Sequence, residues 1–265
     1  MAQFSQKDRH GFAVIAVVVA LGMGLLIWNF TLSNAPEADA RNCLGEISQK
    51  TVILIDRSDD TPTQTVDEIV SRIRSLVSEQ VGQNELVSIF RISDSAQTSL
   101  RPIFSSCKPK ADGNDLYESR KTIQRQFQDS FIVPLEEALK EPAVRSEASP
   151  VAEVITDLSL SDYLTADESR LFVFSDLMQN SDNVSLYGCR APQIAIDTFR
   201  SHRVGAVERP EFKNLSVSLN IIPREGMDRS VINCRDGFWL WYFGNNEGPN
   251  AGLESKYLPG GAAIQ

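Results

Sequence analysis

Histidine is nearly absent from this 265-residue chain, which holds only His10 and His202. Catalysis that takes a histidine as general base therefore has almost no material to work with. Positive charge is also short. There are 26 Lys and Arg against 35 Asp and Glu, and a formal net charge of −9 argues against a nucleic-acid partner held by phosphate neutralisation. Cysteines number four, and none stands in the C-x-x-C spacing of a zinc ribbon. No G-x-S-x-G, G-x-G-x-x-G or phosphate-loop pattern occurs, and there is no internal repeat.

What is present begins with a long uncharged run, Gly11 to Phe30 (GFAVIAVVVALGMGLLIWNF). Twenty residues of helix span about 30 Å, the hydrocarbon thickness of a bilayer. Trp28 suits an interfacial position, Lys7, Arg9 and His10 precede the run, and Glu37 and Asp39 follow it. This charge order places residues 1–10 in the cytoplasm and exports the rest of the chain across the inner membrane to the periplasmic or extracellular side. Ala38-Asp39-Ala40 is a small-x-small sequence that a signal peptidase would accept. The run is long for a removable signal, and that site lies well beyond its end, which favours a retained signal-anchor. Ala16, Ala20 and Gly24 line up at small-xxx-small spacing, the pattern by which two membrane helices pair.

After a polar tether, residues 31–50, comes TVILIDRSDDT, Thr51 to Thr61. A short apolar run ending in Asp56 reads as a buried strand of a parallel sheet. Ser58, Asp59 and Asp60 then set hard oxygen donors at the strand's carboxyl end, where open α/β sheets place their ligands. Thr61-Pro62-x-Gln64 predicts a capping box with proline at the first helical position. Val66, Ile69, Val70, Ile73, Leu76 and Val77 repeat at helical spacing behind it.

Further along, Glu85–Ile92 and Leu100–Phe104 read as an antiparallel hairpin, with Pro102 confining the latter to the sheet edge. A long helical region covers Leu116–Leu139, and Ser149-Pro150 opens a helix over Val151–Leu158. Leu171–Phe174 is a buried strand ending in Ser175-Asp176, and a short helix starts at Ala191-Pro192. Leu215–Ile222 alternates as a strand, and Met227–Phe243 forms a helix whose aromatic cluster reads as core packing. Residues 244–265, rich in Gly, Pro and Asn, read as a flexible tail. Strands alternating with helices, plus one edge hairpin, predict a doubly wound, mostly parallel α/β sheet over residues 51–243.

Asp56 and Asp176 thus end two strands expected to be neighbours, and this constellation resembles the von Willebrand factor A domain with its metal-ion-dependent adhesion site. That family carries D-x-S-x-S after its first strand, a threonine from a later loop and an aspartate after its fourth strand. Asp56 and Ser58 match the first two motif positions, Asp60 stands where the second serine belongs, Ser149 takes the threonine's place, and Asp176 matches the aspartate. Leu177 replaces a commonly found glycine. The resemblance implies a divalent cation, Mg²⁺ ahead of Mn²⁺ or Ca²⁺, with an open coordination position that a carboxylate of another protein fills. It implies a binding module in an envelope assembly, not an enzyme. Two alternatives stand beside it. One is a Mg²⁺-dependent phosphotransfer or hydrolase enzyme with Asp56 as nucleophile, against which Ser58 counts because the related phosphatases carry D-x-D. The other is a structural α/β domain whose metal site has decayed.

Cys43, Cys107, Cys189 and Cys234 all follow the apolar run and would meet oxidising surroundings. Cys43 precedes the first strand and Cys107 follows the antiparallel third, which places both at the end of the sheet away from Asp56. Cys189 and Cys234 each follow a strand that points the other way. Topology therefore selects 43–107 and 189–234 among three pairings.

Overall fold

The computed structural model describes residues 6–33, 38–56, 62–94, 99–113, 119–142, 146–210, 214–224, 226–245, 248–249 and 253–258, with backbone alone at 6–14, 29–33, 245 and 248–249. Ser58, Asp60 and Thr61 lie outside the described residues. The chain divides into two compact units, Met1–Ala38 and Asp39–Gln265.

The first unit contains one helix, α1 (Gln6–Ser33), which runs through the apolar stretch without a break. Its described side chains, 15 through 28, are all exposed. Among the described residues no helix is long and apolar enough to cross a membrane. Those side chains cover only about 21 Å of helix at 1.5 Å per residue. The expected span Gly11–Phe30 extends past them at both ends.

In the second unit the strands are β1 (Gln49–Ile55), β2 (Leu86–Arg91), β3 (Pro102–Cys107), β4 (Glu168–Ser175) and β5 (Leu215–Ile221). A minor two-stranded ladder, β6 (Gly244–Asn245) with β7 (Gly248–Pro249), precedes β8 (Leu253–Tyr257). The helices are α2 (Thr63–Glu79), α3 (Arg120–Phe127), α4 (Val133–Lys140), α5 (Val151–Ser159), α6 (Pro192–His202) and α7 (Arg229–Tyr242). The main sheet has the order β3-β2-β1-β4-β5-β8, parallel except for the β2–β3 hairpin at one edge. This is the mixed α/β sheet expected, with β1 and β4 side by side at its centre. Pro102 opens the edge strand, where its missing N–H costs no ladder bond.

Alternation along each strand sorts the core into two layers. Val52, Leu54, Leu171, Val173, Val217, Leu219 and Ile221 pack with α5, α6 and α7. Ile53, Ile55, Val87, Ile89, Phe172 and Phe174 face α2 and α4. The aromatic cluster of α7 is core, as its spacing predicts: Phe238, Trp239 and Tyr242 are buried against α5 and α6.

Four details depart from the sequence reading. Pro62 sits at the N-cap of α2, not at the first helical position, and makes no side-chain cap bond. The long helical region is split by a wide π turn, Gln128–Ile132, just ahead of Pro134. Proline supplies no N–H to the turn before it, and widening that turn is how the chain passes from α3 to α4 with Phe131 and Ile132 still buried. Within the segment expected as a tether, Cys43 is buried, and the Cys107 N–H donates to the Arg41 carbonyl at 2.8 Å. In the segment expected as a flexible tail, Leu253–Tyr257 forms the sixth sheet strand, parallel to β5, and Leu258 is buried behind it. The backbone ladder to β5 outweighs the Gly- and Pro-rich flanks that made this stretch look loose.

Both disulfides form as topology selects. Cys43–Cys107 has a Cα–Cα distance of 4.9 Å, and Cys189–Cys234 one of 6.0 Å.

Candidate functional site

The carboxyl ends of β1 and β4 meet at the crest of the sheet. Parallel pairing sets Ile55 beside Phe174, so Asp56 comes level with Ser175. Its N–H donates to the Phe174 carbonyl at 2.8 Å. By alternation Asp56 shares the α5 face with Val52 and Leu54, and Ser175 shares it with Leu171 and Val173. The side chains meet accordingly, with the Ser175 hydroxyl donating to Asp56 Oδ2 at 2.9 Å. Asp56 is 6% exposed.

Ser149 arrives at the same oxygen from 93 residues away, its hydroxyl also donating to Asp56 Oδ2 at 2.9 Å. It is held there by a reciprocal backbone bridge to the loop after β4. Ser149 N–H donates to the Asn180 carbonyl at 2.7 Å, and Asn180 N–H to the Ser149 carbonyl at 2.9 Å. Next to it, the amino end of α5 is tied to the same loop by Gln179, whose Oε1 accepts from the Ala152 N–H at 2.8 Å. Gln179 Nε2 donates to the buried Glu153 carboxylate at 2.8 Å, which also accepts from Ser181 and Asn183. Burying a carboxylate is costly unless donors such as these satisfy its oxygens.

Asp176 is differently placed. Its Oδ1 accepts the Met178 N–H at 2.9 Å, and its Oδ2 accepts Arg224 Nη1 at 2.8 Å. The same Nη1 donates to the Tyr187 hydroxyl at 2.7 Å, and the guanidinium lies 5.2 Å from the Tyr187 ring centre. Behind this pair Arg235, 2% exposed, donates to the Asp176 carbonyl at 3.2 Å, and Trp239 Nε1 to the Leu177 carbonyl at 2.8 Å. Leu177 itself has φ +60°, the left-handed region that favours glycine, with its side chain buried in the α5 layer. The position where the resemblance implies glycine is thus one whose backbone asks for it.

Of the five expected metal ligands, Asp56 and Ser149 come into contact, Asp176 ends the neighbouring strand in an ion pair, and Ser58 and Asp60 lie outside the described residues. Sequence reasoning missed Ser175, Arg224 and Tyr187. Strand parity offered a signal for Ser175, since consecutive residues point to opposite faces and the register leaves Ser175 level with Asp56. For Arg224, in the loop after β5, no signal was present.

The fit of a divalent cation follows from these donors. All are oxygens, the chemistry such ions require. Yet one carboxylate has both oxygens committed, to a guanidinium and to a backbone N–H, and the other directs Oδ2 to two hydroxyl protons. Hydroxyls that donate to a carboxylate would have to turn their lone pairs outward to ligate. Among the described residues there is no group of three or more His, Cys, Asp or Glu arranged to hold a metal. As described, the donors do not fit a resident cation.

No protein-family model and no curated protein matches the sequence. Among solved structures, the conserved hypothetical protein BatB from Bacteroides thetaiotaomicron is similar over 80% of this chain and 90% of its own, at 10% identity and a TM-score of 0.35. An aerotolerance-related membrane protein from Bacteroides fragilis is similar over 73% of this chain and 87% of its own, at 10% identity and a TM-score of 0.33. Human COPII-coat protein Sec24c is similar over 83% of this chain at 11% identity and a TM-score of 0.36, and the match spans 30% of that protein. Superpositions this loose decide nothing about the site.

Proposed function

We propose that this chain is a membrane-tethered module of the von Willebrand factor A type, exported from the cytoplasm, that binds another protein at the crest of its sheet and catalyses no reaction. One observation carries the reading: the hydroxyls of Ser149 and Ser175, from two other segments, converge on a single carboxylate oxygen of Asp56 where β1 and β4 end. Polar groups gathered at the strand ends of an open parallel sheet are where such folds take their ligands. An uninterrupted helix of exposed apolar side chains supports the tether, since lipid is the surrounding that such a surface suits. Two disulfides support an oxidising compartment.

The resemblance implies a divalent ion, Mg²⁺ before Mn²⁺ or Ca²⁺, which the described donors do not fit. A second, metal-independent reading is favoured by the Arg224–Asp176 pair, which already neutralises one of the two acids. Affinity capture from native membranes under mild cross-linking, with and without chelator, separates the two. Asp176→Ala is expected to abolish capture while leaving the circular dichroism spectrum intact. Capture unchanged by Asp176→Ala and by Ser149→Ala would remove the crest from consideration as the binding surface.

A further inference from the structure

Arg224 stands where the charge balance of a metal site would be set. Its Nη1 contacts Asp176 Oδ2 at 2.8 Å and the Tyr187 hydroxyl at 2.7 Å, its guanidinium carbon lies 5.2 Å from the Tyr187 ring centre, and its side chain is 33% exposed beside an Asp176 that is 18% exposed. A guanidinium in this position does for Asp176 electrostatically what a bound cation would, without dehydrating an ion. Arg235 adds a second guanidinium against the Asp176 carbonyl. A divalent ion approaching Asp176 would have to displace one fixed cation and sit near another, and like charges at such range repel.

We propose that Arg224 is the built-in cation of this crest and that it keeps divalent metal away from Asp176. This rests on the reading of the crest as the chain's binding site. It makes Arg224, a residue outside any adhesion-site motif, the determinant of whether the site responds to metal.

Titration calorimetry of the purified full chain with Mn²⁺ and with Mg²⁺ tests the proposal. Wild type and Arg224→Lys are expected to show no saturable binding at millimolar ion, because both keep a cation on Asp176. Arg224→Gln removes the charge but keeps a hydrogen-bonding side chain, and it is expected to gain roughly tenfold or more in affinity, since carboxylate charge count sets the strength of such sites. Asp176→Asn in the Arg224→Gln background is expected to abolish the gain. Saturable binding by wild type as tight as that of Arg224→Gln, or no gain in a folded Arg224→Gln protein, would overturn it. Thermal melting of wild type gives a reading that needs no variant: an unchanged midpoint in millimolar Mg²⁺ is expected, and a clear rise overturns the proposal. Partner capture is read separately. Metal exclusion without capture leaves Arg224's role standing while removing the binding module, and chelator-sensitive capture removes Arg224's role while keeping the module.

Discussion

Leu177 shows how a single residue carries opposed terms. A leucine at φ +60° costs about 1 kcal/mol relative to glycine. Its buried side chain returns more than that, since truncating a core leucine loses about 3 kcal/mol. Leu177→Gly, which restores the residue the family resemblance implies, is therefore expected to lower stability by about 2 kcal/mol in urea denaturation. Asp157 gives a second case. It lies near the carboxyl end of α5, and burial raises its carboxyl above the usual range, with Arg203 pulling it down and Glu153 pushing it up. A carboxyl with a raised folded pKa binds its proton more readily folded than unfolded. Its favourable contribution is complete below the unfolded value and is lost as pH rises through that value to the folded one. Asp157→Asn is thus expected to be more stable than wild type at neutral pH and to lose that advantage in acid, as read from urea midpoints across the range. Tyr242 is fully buried and its hydroxyl is likewise pushed up by burial. It donates to the Ala152 carbonyl at 2.7 Å and pairs with Thr156 at 2.8 Å, which locks α7 onto α5 just behind Ser149.

Among the elements, α2 and β8 hold by contacts the sequence pattern does not announce. The carboxyl end of α2 is closed by Lys108, arriving from beyond β3, whose ammonium donates to the carbonyls of Val77 at 2.9 Å, Ser78 at 3.0 Å and Val81 at 2.7 Å. Cations at a helix's carboxyl end satisfy orphan carbonyls and complement its dipole. Desolvation lowers the Lys108 pKa, Glu85 opposes this and Arg170 adds to it. Lys108→Met keeps the apolar stem and removes the donors, and is expected to cost about 1–3 kcal/mol with faster amide exchange in the last turn of α2. β8 shields the β5 edge, and its Tyr257 hydroxyl accepts from Arg235 at 2.9 Å. Ending the chain before Leu253 bares that edge. Light scattering is expected to show self-association of the shortened protein, because an open strand edge pairs with its copies.

Across the whole molecule, charge and covalent links settle the end of the sheet away from the crest. Glu85 is buried there, with Arg170 bonded to both its oxygens at 2.6 and 2.5 Å, the Gly82 N–H at 2.8 Å and the Thr51 hydroxyl completing its shell. The Cys43–Cys107 bond ties the segment ahead of β1 to the edge strand across a sequence separation of 64. Closing a loop of that size restricts the unfolded chain by about 4 kcal/mol in the entropic account. The Cys43→Ala/Cys107→Ala protein is accordingly expected to unfold at a guanidinium concentration lower by that equivalent, with the sheet itself retained.

Hydrophobic periodicity determined the central strands and the helices on either side, and Pro102 the edge position of the hairpin, because alternation, helical repeats and a missing N–H are local and survive without the fold. Cysteine positions relative to strand direction determined the disulfides, since strand direction fixes which end of the sheet each residue reaches. Asp56 was legible on the crest for the same reason, while Ser149 was brought to it only through the family resemblance, as a stand-in for a threonine. The tertiary structure decided the rest. Register made Ser175 the neighbour of Asp56, and ladder bonds turned part of a glycine-rich stretch into β8. Arg224, one charged residue in a loop like many others, became the partner of Asp176 only when β5 was laid beside β4. Charge pairing between segments distant along the chain has no period to read, and it is set by the packing that brings the segments together.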